Sequence, residues 1–226
     1  MLRGLRLRLG TLKLRLFPPP YEPEVVAAIE RDVLPGATCA DVGAHVGAIT
    51  RVLAGAAGRD GRVIAFEAYP PNADDLREAL SAEGFGWVTV ENLAVTDGAE
   101  QTVWLHSGRD RRSAEWNVVG HDVEGRETPP ELEVQATSLD DYVPGGEPLD
   151  FVKIDVEGAE ARVLAGMRRL LREAHPIVLV EFHDDAGWDG RRHLLDAGYR
   201  LETLEGQPVG PNASRVYHCL ARPPAA

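Results

Sequence analysis

The chain has 226 residues, enough for one α/β domain with a sizeable core and too few for two enzymatic domains of ordinary size. Its formal net charge of −12 disfavours nucleic acid as a partner, because such binding depends largely on neutralising phosphates. Two cysteines without metal-ligand spacing, and the lack of an apolar run of about 20 residues, predict a protein of the reducing cytoplasm without a transmembrane segment.

Residues 1–20 form a basic arm in which arginines and a lysine alternate with leucines and no acid intervenes. We expect a solvated terminal segment that packs some leucines on the domain. The alternative is an amphipathic arm in weak contact with a membrane surface or an anionic partner. Three prolines end the arm, and we predict that residues 21–226 form a single domain. The sequence leaves open whether the protein forms oligomers.

Predicted helices and strands alternate from Glu22 onward, which indicates a mostly parallel sheet with helices on both faces. Because residues 107–131 lack periodicity, and such long segments are uncommon unless they cover a site, we predict a substrate lid there. The predicted helices lie at residues 24–33, after Gly47 to about 56, 72–82, 159–173 and 191–197, with a turn or short helix at 138–142. The predicted strands lie at residues 38–42, 62–67, 87–95, 102–105, 132–136, 151–155, 177–182, 199–204 and 216–221.

A glycine-bearing turn joins the first predicted strand to the following helix. Gly43 and Gly47 remove side chains where a ligand would approach the backbone. His45 stands where a dinucleotide-binding GxGxxG turn has its second glycine, and Asp41 would repel a pyrophosphate. A carboxylate at this place instead suits a ligand with an ammonium and a sulfonium. S-adenosylmethionine (SAM) carries both groups.

The second predicted strand ends in Glu67, 20 positions after Gly47, where an acid can accept both ribose hydroxyls of an adenosine. Ligands of open α/β sheets lie outside the carboxyl ends of the strands, which adds Asn92, Ala94 and Asp155 to the same crevice. We therefore predict a SAM site. Two alternatives are an NAD-dependent oxidoreductase, which the broken glycine pattern disfavours, and a non-catalytic adaptor, which would need no cofactor crevice.

Seven segments follow one another between residues 21 and 183: Tyr21–Pro23, Asp41–Gly47, Phe66–Pro70, Asn92–Val95, Ser138–Tyr142, Lys153–Glu160 and Glu181–His183. In this order they resemble the FkbM family of methyltransferases. The resemblance implies a Rossmann-like, seven-stranded class I methyltransferase fold, and methyl transfer from SAM to a hydroxyl oxygen, often on a sugar or a polyketide. It also implies positions around the cofactor: Asp41, Gly43, His45 and Gly47 at the methionine end, Glu67 at the ribose, Asn92 and Ala94 at the adenine edge, and Glu22 and Asp155 nearby.

Three side chains are candidates for the chemistry of such a transfer. Asp155 ends one core strand, and Glu181 and His183 end the next, so all three can project into one crevice beside the cofactor. Asp155 or His183 would act as a general base, or the three would hold Mg²⁺ or Mn²⁺ to acidify the acceptor hydroxyl. His106, just before the predicted lid, is an alternative base. We expect a small-molecule acceptor.

Overall fold

The computed structural model describes residues 22–107, 116–117 and 132–224, so the predicted arm and most of the predicted lid lie outside the described residues. The helices are α1 (Pro23–Asp32), α2 (Ala48–Ala57), α3 (Pro70–Ala82), α4 (Leu139–Tyr142), α5 (Glu160–Ala165), α6 (Arg168–Glu173), α7 (Asp185–Asp189) and α8 (Arg192–Asp196). The strands are β1 (Thr38–Val42), β2 (Arg62–Phe66), β3 (Val88–Glu91), β4 (Ala94–Val95), β5 (Thr102–Ser107), β6 (Trp116–Asn117), β7 (Leu132–Thr137), β8 (Phe151–Ile154), β9 (Ile177–Glu181), β10 (Arg200–Glu202), β11 (Pro208–Val209) and β12 (His218–Arg222). No described helix is long and apolar enough to cross a membrane.

The main sheet has the strand order β11-β10-β12-β9-β8-β1-β2-β3. Strands β3, β2, β1, β8 and β9 are parallel to one another, whereas β12 is antiparallel to both β9 and β10. Apart from the two-residue edge strand β11, seven strands make up this sheet. The predicted Rossmann-like α/β fold is confirmed.

The central strands are buried on both faces because helices cover the sheet from both sides. A hydrophobic cluster lies on each face of the sheet. In β8, Val152 and Ile154 pack against residues of α5 and α6 on one face, whereas Phe151 packs against residues of α1 and α2 on the opposite face. This alternation follows from the pleat of a strand, which points successive side chains to opposite faces. The thiols of Cys39 and Cys219 are buried and free, and burial raises the pKa of each to about 12.

Two elements that the sequence predicts as continuous are each divided in two in the structure. The predicted strand 87–95 divides into β3, which stays in the main sheet, and β4, which joins a second sheet of order β4-β7-β5-β6. The predicted helix 159–173 divides into α5 and α6 around Gly166, where a Cβ would collide with the carbonyl oxygen of Thr96. Asp140 then caps the new helix start, because its carboxylate accepts hydrogen bonds from the backbone N–H groups of Arg169 and Leu170, at 2.8 and 3.0 Å.

The second sheet lies beside the carboxyl end of β2. Its buried residues, Ala94, Val103, Leu105 and Val134, are joined by Ala68 and Tyr69 from the loop after β2. Strand β5 leads into the predicted lid and β7 leads out of it. Within that segment, residues 116–117 pair antiparallel with His106 and Ser107, so the prediction of an irregular segment is wrong at β6.

Candidate active site

A cavity of about 340 Å³ opens at the carboxyl ends of β1, β2, β8 and β9, a volume in the range of small-molecule sites. This is the end of an open α/β sheet where ligands bind. Seven of the residues predicted from the sequence line it: Glu22, Gly43, His45, Glu67, Ala94, Asp155 and Glu181. The cavity therefore joins the predicted cofactor positions to two of the predicted catalytic side chains.

The turn after β1 depends on glycine for packing as well as for its backbone conformation. Gly43 has a φ of 86° and Gly47 a φ of 79°, both in the region that favours glycine. A Cβ on Gly43 would collide with the carbonyl oxygen of Asp155, and one on Gly47 would collide with the side chain of Leu76. From the sequence, ligand approach is the predicted reason for these glycines. The structure adds the close approach of β1 to the loop after β8.

Glu67 connects two turns through its carboxylate. One oxygen accepts a hydrogen bond from the backbone N–H of His45 at 2.6 Å, and the other accepts one from Tyr69 at 2.9 Å. Burial raises the pKa of Glu67, although these two hydrogen bonds oppose the shift. Because both turns fix its orientation, the carboxylate is held in place at the cavity wall.

Asn92 and Ala94 take different places. The side-chain amide of Asn92 donates to the carbonyl oxygens of Glu67 and Ala68, both at 2.9 Å, and Asn92 is not among the cavity-lining residues. Ala94 does line the cavity, together with Leu93 and Val95. Asn92 thus holds the loop after β2, and its predicted contact with adenine stays a prediction.

Asp41 lies behind the cavity wall. Its side chain is fully buried, and Thr50 Oγ1 donates a hydrogen bond to its Oδ2 at 2.6 Å, while its Oδ1 has no protein partner. Burial raises the pKa of this carboxyl. Direct contact between Asp41 and a cofactor stays a prediction, because the residue does not line the cavity.

Lys153, which the sequence argument passed over, supplies a buried ammonium at this edge. Its Nζ lies 2.6 Å from Asp155 Oδ2, and it lines the cavity. Burial by itself lowers the pKa of Lys153, but the charges of Asp155 and Asp41 outweigh burial and raise it. A lysine within the otherwise apolar segment Phe151–Ile154 was the available sequence signal, since such a residue is rarely fully buried without a partner.

The three predicted catalytic side chains come together. His183 Nε2 lies 3.3 Å from Glu181 Oε1 and 3.6 Å from Asp155 Oδ1. Burial disfavours the charged imidazole, but hydrogen bonds with Glu160 and Glu181 outweigh burial and raise the pKa of His183 to about 10. Asp155 and Glu181 line the cavity, whereas His183 does not. In this arrangement His183 carries a proton at neutral pH and donates to the carboxylates around it.

The methyltransferase FkbM domain matches residues 41–201, more than half of the chain. The chain belongs to the FkbM methyltransferase family. The predicted resemblance is confirmed, and membership of this SAM-dependent family favours SAM over NAD as the cofactor. No curated protein matches the chain in sequence.

Solved structures of methyltransferases with low sequence identity share this fold. A methyltransferase FkbM from Methylobacillus flagellatus has 18% identity and a TM-score of 0.57 over 84% of this chain and 44% of that one. The chain therefore spans less than half the length of that protein. A SAM-dependent O-methyltransferase from Thermotoga maritima has 15% identity and a TM-score of 0.52 over 95% and 71% of the two chains. A Streptococcus mutans protein in complex with S-adenosylhomocysteine (SAH) has 11% identity and a TM-score of 0.51 over 92% and 99%.

Glu160 is a further functional candidate in this FkbM domain. Its side chain is fully buried, and its Oε1 lies 2.7 Å from His183 Nδ1 while also accepting a hydrogen bond from the N–H of Gly158 at 2.9 Å. In the sequence, Glu160 stands out only as the last residue of the segment Lys153–Glu160. Its position behind His183 turns the other ring nitrogen, Nε2, towards Asp155 and Glu181.

The terminal strand brings two more side chains that the sequence argument left without a role. His218 Nε2 lies 3.1 Å from Glu22 Oε2 and 3.2 Å from Glu181 Oε2. Tyr217 lines the cavity and is 51% exposed. Burial raises the pKa of Glu181, but hydrogen bonds with His183, His218 and Tyr217 outweigh burial and hold the pKa below its usual range. The structure describes the backbone of His106, in β5, but not its side chain. The predicted role of His106 as a base therefore lies outside what the structure describes.

Proposed function

We propose that this FkbM domain is a SAM-dependent O-methyltransferase. Its acceptor is a hydroxyl of a small molecule, either a sugar or oligosaccharide or a glycosylated or polyketide natural product. One observation carries the proposal: a single cavity joins the glycine turn and Glu67 to the side chains of Asp155 and Glu181. A methyl donor and an acceptor hydroxyl must meet in line, and one continuous cavity permits this arrangement.

In the proposed complex, Glu67 binds the ribose hydroxyls and the turn from Gly43 to Gly47 faces the methionine end. The adenine lies against Ala94, with Leu93 and Val95 as apolar neighbours in the cavity wall. Glu22 and Asp155 line the same cavity, and in the metal-free form of the site their negative charges would favour the cationic groups of SAM. Asp41 lies behind the cavity wall, and its carboxylate would favour the cationic methionine end of SAM through space.

Bound SAM would supply the electrophilic methyl group of its sulfonium to the acceptor oxygen, and the electron pair of the broken carbon–sulfur bond would stay on sulfur to give SAH. The hydroxyl proton needs an acceptor. Asp155 is the base that we favour over His183, because Asp155 lines the cavity and His183 does not. The ammonium of Lys153 orients the Asp155 carboxylate at 2.6 Å.

Metal assistance is the second form of this proposal. Asp155, Glu181 and His183 form one of the groups among the described residues that could hold a metal ion, and two carboxylates with one imidazole suit Mg²⁺ or Mn²⁺. Glu160 supports this fit, because histidines that bind metals usually donate their other ring N–H to a carboxylate. A cation bound there would acidify the acceptor hydroxyl.

The proposed division of the chain follows the sequence prediction: an arm at residues 1–20, one domain at 21–226, and a lid at 107–131. The lid is supported by its two flanking strands, β5 and β7, which belong to the small sheet beside Ala68 and Tyr69. A cytoplasmic location and an acceptor other than nucleic acid are proposed on the net charge of −12 and the cysteine pattern.

Isothermal titration with SAH tests the cofactor half of the proposal. We expect the protein to bind SAH and Glu67→Gln to bind it at least about tenfold more weakly, because a hydrogen bond to a charged group contributes roughly 1.5–3 kcal/mol. The matched control is Glu78→Gln, the same substitution at an exposed position of α3, which should leave the affinity unchanged. Absence of SAH binding by the folded wild-type protein would refute the proposed function.

A further inference from the structure

Glu181 lies between two imidazoles, and its two carboxylate oxygens serve different sides. Oε1 lies 3.3 Å from His183 Nε2, and Oε2 lies 3.2 Å from His218 Nε2. Glu181 is only 5% exposed, so the surrounding protein fixes the direction of both oxygens. One carboxylate thus connects two histidines from different parts of the sheet: His183 follows β9, and His218 begins β12.

Each imidazole has a further carboxylate beside it. Asp155 Oδ1 lies 3.6 Å from His183 Nε2, and Glu22 Oε2 lies 3.1 Å from His218 Nε2. Two three-residue sets result, Asp155–Glu181–His183 and Glu22–Glu181–His218, and the ligand atoms within each set lie within 4.8 Å of one another. Both sets contain Glu181.

The spacing within the second set fits ligands of one cation. Two ligand atoms at about 2.1 Å from an octahedral ion, at right angles to each other, lie roughly 3.0 Å apart. The Nε2 of His218 lies 3.1 and 3.2 Å from the oxygens of Glu22 and Glu181, close to that separation. Imidazole and carboxylate together suit Mn²⁺ and related divalent ions.

The local charge also favours more than one cation. Four carboxylates surround the two imidazoles, namely Glu22, Asp155, Glu160 and Glu181. Lys153 places one ammonium beside them, 2.6 Å from Asp155. With both imidazoles deprotonated, the charges of Lys153 and one divalent ion together would not balance these four carboxylates, which favours a second cation.

We propose that Glu181 bridges two divalent cations, and that Glu22 and His218 hold the second. The proposal rests on the metal-assisted form of the proposed function, because Glu181 belongs to both sets. Glu22, Asp155 and Glu181 line the cavity, so acceptor oxygens reach both sets from one side. Paired ions bind two oxygens at once, and the acceptor class that this arrangement fits is a molecule with two adjacent hydroxyls.

The test is a titration of the full chain, stripped with EDTA, with Mn²⁺ alone. We expect two Mn²⁺ per chain and a spin-coupled Mn²⁺ pair in the electron paramagnetic resonance spectrum. His218→Ala should bind one Mn²⁺ and lose the coupling, and Glu22→Gln should weaken the second site at least about tenfold. The matched control is His193→Ala, which replaces a half-buried histidine on α8 and should still bind two ions.

Binding of one Mn²⁺ or none by the wild type would overturn the second site, as would two ions in His218→Ala. Thermal unfolding of each variant identifies any that fail to fold, and Glu22→Gln then decides in place of His218→Ala. SAH titration of the same samples separates the two proposals. If SAH binds while fewer than two ions bind, the proposed cofactor function stands and the second cation is rejected.

Discussion

The two ends of the cavity are built in different ways. At the cofactor end, Gly43, Gly47 and Glu67 act through backbone conformation and backbone hydrogen bonds, and all three lie within 25 residues along the chain. At the other end, Glu22, Glu181 and His218 are far apart in sequence, and their side chains meet because His218 and Glu181 lie opposite each other where β12 pairs with β9. A motif can describe the first end because its contacts are local. The second end exists only after the sheet has formed.

Gly43→Ala should have the largest effect on stability, because it changes the backbone conformation on which the cofactor end of the cavity depends. The new Cβ combines a left-handed conformation with a collision against the Asp155 carbonyl, so we expect a loss of at least about 3 kcal/mol in the free energy of unfolding. Urea denaturation measures it. Gly36→Ala is the matched control: its φ of 89° is similar, nothing lies within 4 Å of the added Cβ, and the expected loss is about 1 kcal/mol. Equal losses would show that conformation alone requires Gly43.

Glu160→Ala tests the end of the cavity that side-chain contacts form, and its effect on stability should be the second largest. It leaves His183 Nδ1 and the Gly158 N–H without their buried acceptor, which should cost roughly 2–3 kcal/mol of unfolding free energy. Chemical denaturation with SAH titration is the measurement. We expect SAH affinity to change less than about threefold, because Glu160 does not line the cavity. A large loss of SAH affinity in a folded variant would mean that the two ends are coupled.

Substitutions of Asn92 should have a smaller effect on stability. Asn92→Ala removes two hydrogen bonds to the carbonyls of Glu67 and Ala68, and should cost about 1–2 kcal/mol of stability. Asn92→Asp should cost more, since its carboxylate would face both carbonyl oxygens. Thermal unfolding ranks the two variants. If Asn92→Ala left stability unchanged but reduced SAH affinity strongly, Asn92 would contact the cofactor directly, as the sequence argument predicts.

Much of the fold was predictable because the central strands carry continuous apolar runs. The predicted bounds of β1 agree with the structure, and those of β2, β8 and β9 differ by one residue at the carboxyl end. The motif order also led to the family. Besides β6, the errors lie at 87–95 and 159–173, where hydrophobic periodicity continues while the chain changes direction. Thr96 forces the second break by packing against Gly166, a contact that no local pattern contains.

The sequence by itself determined the fold class, the family, the glycine turn and the acids at the strand ends. These features depend on periodicity and on local backbone chemistry. Only the tertiary structure decided which side chains share a site: the burial of Asp41 behind the wall, the ion pair of Lys153, and the meeting of Glu22 with His218, 196 positions apart. Such pairs depend on distances through space, which the order of strands in the sheet sets and the order of residues does not.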